Sequence, residues 1–117
     1  MKDTLAPGLE RTAIYVVTEE HAAHVPVLST PSMIGLMEGT CLALDPEHLD
    51  EGELTVGTHV CVSHVGAASV GEEVTVRVRL SEVDRRRLTY DIEINGPRGL
   101  ISEGTHQRAV IDSSRFG

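Results

Sequence analysis

The chain has 117 residues, a formal net charge of −8 and a sequence pI near 5.1, which fits one compact domain able to bury roughly 60–70% of its unfolded surface. The negative balance argues against a broad phosphate-binding surface. One Phe, two Tyr and no Trp leave few rings on which bases could stack, so nucleic acid is not expected as a partner.

The core must be built from Val, Leu, Ile, Ala and Met. Cys41 and Cys61 have no metal-ligand spacing and sit in apolar segments; they read as small buried hydrophobes in a reducing compartment. No N-terminal stretch has the pattern of a signal peptide, and no apolar run reaches the ~18 residues of a membrane span. A cytoplasmic location without membrane attachment is expected.

Residues 1–10 have no clear period and include Pro7-Gly8, so they read as a mobile or lightly docked lead. Thr12, Ile14 and Val16 alternate with Ala13, Tyr15 and Val17, which predicts a first strand buried on both faces. Thr18 to Leu28 reads as a loop around Pro26. His21 and His24 lie within it at HxxH spacing, but with no third ligand nearby a metal site is not expected.

A helix is predicted over Thr30 to Leu44, with Thr30 as N-cap, Pro31 at the first helical position and Asp45-Pro46 as the stop. It is apolar on nearly every side, which marks a buried helix. Glu38 near its middle is therefore costly unless paired or protonated, and is either a satisfied structural residue or a catalytic one. Gly35 and Gly39 each cost about 1 kcal/mol relative to Ala. Their spacing leaves a flat stripe for a strand or a second subunit.

After the acidic loop 46–52 the chain reads as strands. In 54–65, Leu54, Val56, Thr58, Val60, Val62 and His64 share one parity, which points His64 toward the interior. Val74, Val76, Val78 and Leu80 form the next inward set, then Leu88, Tyr90, Ile92 and Ile94. Gly71 and Asn95-Gly96-Pro97 mark turns. Arg85-Arg86-Arg87 falls at a hairpin corner, or else contacts a phosphorylated ligand tail. The last strand runs from Leu100 to Ile111 with Gly104 as a candidate bulge. His59 and His106 read as sheet-face residues.

A strand, a helix and four antiparallel strands predict an α+β single domain over 1–117, one central helix wrapped by a curved antiparallel sheet of about five strands. This is the hot-dog arrangement. Its open sheet edges and half-covered helix predict a homodimer joined edge to edge, with a site at the subunit interface.

An acid, a hydroxyl and an imidazole around a helix N-terminus suit acyl transfer. Thr30 and Glu38 stand about 12 Å apart along the axis, too far for contact in one protomer. Across a two-fold axis, the groove of one subunit can meet the helix of the other. Taken singly, Thr30 is simplest as a cap, His64 as a satisfied core histidine, and Glu38 stays open between the two roles.

Three segments taken in order, Ser29 to Glu38, Val56 to His64 and Gly104 to Ile111, resemble the fluoroacetyl-CoA thioesterase family of hot-dog proteins. The resemblance spans about Ile14 to Ile111. It implies Thr30, Glu38 and His64 as the catalytic set, Gly57 beside the acyl pocket, and Arg108 in a supporting, substrate-binding position. The family's aromatic lid between first strand and helix has no counterpart, since residues 18–29 contain no aromatic side chain. The implied activity is hydrolysis of a small or short-chain acyl-CoA to free acid and CoA, without implied fluoroacetyl selectivity. A hydratase or dehydratase on the same fold, or a non-catalytic acyl-CoA binding protein, are the alternatives. No metal and no cofactor are expected beyond the coenzyme A of the substrate, and no GxGxxG or Walker pattern occurs.

Overall fold

Strand alternation and one apolar helix set the architecture of the computed structural model, which describes residues 1–115. The elements are β1 (Glu10–Val16), α1 (Thr30–Leu44), β2 (Glu53–Val62), β3 (Glu73–Asp84), β4 (Arg87–Gly96) and β5 (Gly99–Asp112), with single 3-10 turns at Glu19–His21, Pro46–His48 and Ser113–Arg115. The strands form one antiparallel sheet in the order β1-β3-β4-β5-β2. The helix lies across one face of it. This is the expected α+β, hot-dog arrangement.

Period-two patterning decides which face of the sheet is dry. Val74, Val76, Val78 and Leu80 of β3 and Leu88, Tyr90, Ile92 and Ile94 of β4 are buried. Their alternates Arg77, Arg79, Asp91 and Glu93 stay exposed, with Arg77 opposite Glu93 and Arg79 opposite Asp91, so unlike charges face each other across the strands. Against this floor the helix lays Met33, Met37, Cys41 and Leu44, a stripe recurring every three or four residues. The Arg85-Arg86 corner joins β3 to β4 as a two-residue hairpin turn, with Arg85 at φ +56.

Several expectations need correction. The helix is not enclosed: Gly35 and Gly39 are exposed and Leu42 is 49% exposed, because the sheet covers only one of its sides. β1 is an edge strand rather than a doubly buried one. Ile14 and Val16 are 64% and 51% exposed, while their alternates Ala13 and Tyr15 are partly covered, and the Tyr15 hydroxyl meets Thr40 Oγ1 of the helix at 2.9 Å. The parity assigned to β2 also fails. Thr55 is buried while Leu54 and Val60 are exposed, and the pairing with β5 slips between Gly57 and His59, so one alternation cannot run the whole strand. His64 lies beyond the strand's end and is half-buried. Cys41 is buried as expected, but Cys61 is exposed because β2 is the other edge.

The lead docks onto the body: Leu5 is buried, Lys2 N–H donates to His48 O at 3.0 Å and Gly8 N–H to Leu80 O at 2.8 Å. Among the described residues no helix is long and apolar enough to cross a membrane.

Gly104 is not a bulge. Its register with Val62 and Ile92 is regular, and it is glycine because a Cβ there would lie 2.1 Å from Cys61 O, at φ +152. Gly104→Ala should therefore force β2 away from β5 and lower stability by about 2 kcal/mol or more, read as a lower denaturant midpoint with unchanged slope.

Candidate active site

The helix start is organised by Ser29 rather than Thr30. Ser29 has extended backbone and its Oγ accepts the Ser32 N–H at 3.3 Å, so it is the cap and Thr30 is the first helical residue. Ser caps somewhat better than Thr, but Pro is tolerated throughout the first turn, so Pro31 fits either neighbour as the cap. Freed from capping, the Thr30 hydroxyl lies 2.7 Å from His64 Nδ1. Beside this pair opens a cavity of about 280 Å³, walled by Val25, Val27 and Leu28 and rimmed by His24. His21 is occupied elsewhere, its Nδ1 accepting the Thr18 N–H at 3.0 Å.

Two turns further along α1, Glu38 belongs to a second cluster. Its Oε2 is 3.3 Å from Arg108 Nη1 and 3.8 Å from His106 Nε2, with the side chain 38% exposed. Gly57 of β2 leaves the room for it: a Cβ there would stand 2.6 Å from Glu38 Oε2. Gly57 and Arg108 thus both meet the carboxylate of Glu38. Among the described residues Glu38 makes no hydrogen bond to Thr30 or His64, so one protomer holds the proposed catalytic set as two separate pieces.

Arg108 is 2% exposed, and its guanidinium is consumed inside the protein. Nε donates to Thr55 Oγ1 and Nη2 to Thr55 O, both at 3.0 Å, while Nη1 reaches Glu38 and His106 Nε2, the latter at 3.2 Å. Asp45 lies 3.7 Å from Nε. It accepts the Thr55 hydroxyl at 2.9 Å and, through its other oxygen, the Tyr90 hydroxyl. An unpaired buried guanidinium would cost several kcal/mol; here its partners are all in place.

The charge state of His106 follows from its neighbours. A backbone carbonyl only accepts, so Nδ1, 2.8 Å from His59 O, carries the proton. A guanidinium only donates, so Nε2 accepts from Arg108. His106 is therefore a neutral Nδ1–H imidazole, and its 3.8 Å approach to Glu38 is not an ion pair. Burial, the largest influence, lowers its pKa, and Arg108 lowers it further against opposing contributions from His59 O and Glu38. Burial likewise pushes the Cys41 thiol up to about 12, which removes it as a nucleophile.

Asp45, Thr55, Tyr90 and His106 were not read from the sequence as site residues. One signal was available: His106, Arg108 and Val110 share a parity, so two ionisable side chains point inward together. Asp45 carried no such signal, since it reads fully as a helix stop.

One long helix laid over a five-stranded antiparallel sheet is the hot-dog class of fold, here with a carboxylate and imidazoles beside the helix. The profile of the fluoroacetyl-CoA-specific thioesterase family matches residues 10–114. The fluoroacetyl-CoA thioesterase of Streptantibioticus cattleyicolor is 37% identical over 103 residues, 88% of this chain and 74% of that one. A solved fluoroacetyl-CoA thioesterase superposes with a TM-score of 0.92 at 32% identity, covering 97% of this chain and 93% of that one. A hot-dog-like protein of Thermanaerovibrio acidaminovorans, at 21% identity and TM-score 0.87 over 94% and 86% of the two chains, shares the fold. The chain belongs to the fluoroacetyl-CoA-specific thioesterase family.

The tautomer is open to measurement. In two-dimensional 1H–15N NMR at neutral pH, His106 should show a protonated Nδ1 and an unprotonated Nε2, and should titrate below the ordinary 6.5 of a histidine.

Proposed function

We propose that the protein hydrolyses a small or short-chain acyl-CoA thioester to the free acid and CoA, with Thr30, Glu38 and His64 as its catalytic set. The observation that carries this reading is the 2.7 Å hydroxyl–imidazole contact at the helix start, opening on an apolar cavity. Solved variants of the related thioesterase hold acetyl-CoA, or fluoroacetate with CoA; a cavity of about 280 Å³ has room for the small acyl end of such a ligand. Among the described residues no Phe, Tyr or Trp lines the cavity, which fits a broad small-acyl selectivity.

In this reading the thioester carbonyl sits at the N-terminus of α1. Pro31 has no N–H there, while the Ser32 and Met33 N–H groups are held by Ser29. The Thr30 N–H and the helix dipole are left to stabilise the oxyanion. Glu38 takes a proton from water, the hydroxide adds to the carbonyl carbon, the C–S bond breaks, and the proton passes from Glu38 through His64 to the departing CoA thiolate, which leaves both residues as they began. Thr30 holds the His64 ring. Water and side chains suffice, so no cofactor enters beyond the CoA of the substrate. A cytoplasmic location is part of the same reading, supported by two free thiols.

A homodimer completes the site. β2 presents a free edge with Val60 and Cys61 exposed, and the bare Gly35, Gly39 and Leu42 side of α1 is uncovered. Joining two β2 edges about a two-fold axis sets the helices antiparallel, so that Thr30 and His64 of one protomer come beside Glu38 of the partner subunit.

Glu38→Gln should keep the melting temperature within a few degrees while lowering kcat by about 10²–10⁴-fold, followed as thiol release from acetyl-CoA. Full turnover would remove Glu38 from the mechanism. Mixing separately inactive Glu38→Gln and His64→Ala proteins, with subunit exchange, should restore about a quarter of wild-type activity, because half the dimers then hold one intact composite site. A mixture that stays inactive would place each set within one protomer.

A further inference from the structure

Arg108 stands between two carboxylates of very different exposure. On one side Glu38 Oε2 is 3.3 Å from Nη1, and on the other Asp45 Oδ2 is 3.7 Å from Nε. Asp45 is 1% exposed with both oxygens occupied, one by the Tyr90 hydroxyl and one by the Thr55 hydroxyl. Glu38 opens to the surface. With His106 neutral, Asp45, Arg108 and Glu38 together carry a charge of −1. Of these two acids only Glu38 is exposed enough to present that charge to a substrate.

We propose that Asp45 is a positioning residue for hydrolysis: clamped by Tyr90 and Thr55, it counter-charges Arg108 from behind, so that the guanidinium orients the Glu38 carboxylate without quenching it as a base. This rests on the reading of Glu38 as the base. A buried guanidinium with one carboxylate partner holds that partner firmly in its ionised form and makes it a poor proton acceptor. A second, enclosed carboxylate on the far end of the same cation offsets this. The geometry of Arg108 is kept and its net field at Glu38 is reduced.

The contacts around Asp45 suit a carboxylate. Arg108 Nε donates to Thr55 Oγ1, which leaves the Thr55 hydroxyl proton for Asp45 Oδ2, and the same Nε lies 3.7 Å from that oxygen. Burial holds the Asp45 carboxyl above the ordinary carboxylate range, and Tyr90, Thr55, Arg108 and His48 offset part of that rise. Tyr90 remains a donor throughout, because burial and the charge of Asp45 drive its own titration far above the ordinary tyrosine range. The charged and titratable groups facing the two acids are few. They are Arg108 and His106 from β5, Tyr90 from β4, Cys41 from α1 itself and His48 from the turn after it; β2 contributes only Thr55 and Gly57. The Cys41 thiol stays protonated, so among the described residues Asp45 is the only enclosed anion able to play this part.

The test is the pH dependence of kcat/KM for acetyl-CoA, followed by thiol release in the intact protein, for wild type, Asp45→Asn and Tyr90→Phe. Asp45→Asn keeps the shape and removes the charge. It should lower kcat by about ten- to hundredfold with KM nearly unchanged, and move the acid limb of the profile down by about half to one pH unit. The sign follows from the charge: with Asp45 neutral, Arg108 favours the ionised form of Glu38 more strongly, so protonation is deferred to lower pH and the base is weaker. Tyr90→Phe deletes one O–H, leaves Asp45 readier to take a proton, and should move the limb in the same direction by less. It carries the test where Asp45→Asn does not fold. An acid limb coincident with wild type in the folded variant overturns the inference, whatever happens to stability, since a residue that only packs would change the melting temperature alone. Glu38→Gln in the same assay separates the two levels. Full turnover there overturns the base reading and this inference with it, whereas loss of turnover beside an unmoved limb overturns this inference alone.

Discussion

A guanidinium buried under a helix is the constraint from which the active end of this protein is built. Arg108 projects from β5 into the space between α1 and β2, where water cannot solvate it, and it is tolerable only because Thr55, Asp45, His106 and Glu38 surround it. Each of those partners is fixed in turn. Asp45 ends the helix under the hydroxyls of Tyr90 and Thr55, His106 hangs from the carbonyl of His59, and Glu38 rests against the bare backbone of Gly57. In a low-dielectric interior such a network is worth more than its separate bonds. It ties three strands and the helix into one unit at the place where the proposed base emerges.

Helix α1 divides its labour along its length. Its first turn, capped by Ser29, presents Thr30 to His64 at the mouth of an apolar cavity. Its middle carries Glu38 over the Arg108 network, and its end supplies the enclosed Asp45. The face between them is stripped to Gly35 and Gly39, where another helix could come close. The composite site proposed across a dimer explains why a chain this small spreads its polar groups over two clusters: each protomer contributes one end of a shared groove.

Much of this organisation was legible in the residues. The inward sets of β3 and β4, the limits of α1, the hairpin at Arg85 and the helix-over-sheet order all follow from periodicity, because those elements are covered on one face only and their patterns have one solution. The edges were not legible. β1 and β2 carry as many apolar residues as the central strands, and nothing local marks Ile14, Val16 or Val60 as exposed. The slip at Gly57 broke the parity that had placed His64 on the inner face of β2. Glu38 stood out as an anomaly in an apolar helix; its partner Arg108 is marked only by the parity it shares with His106 and by the family resemblance, since a lone arginine in a strand otherwise reads as a surface residue.

The sequence by itself determined the class of fold, the extent of the helix and the residues able to carry acyl-transfer chemistry, because hydrophobic spacing and side-chain type are local properties. Only the tertiary structure decided that Ser29 caps the helix, that Thr30 is thereby free to meet His64, and that Asp45, Thr55, Tyr90 and His106 stand behind Glu38. Apart from the local Ser29 cap, these contacts join residues 10 to 70 positions apart. Contacts of that kind depend on which strands become neighbours, and no local pattern encodes that choice.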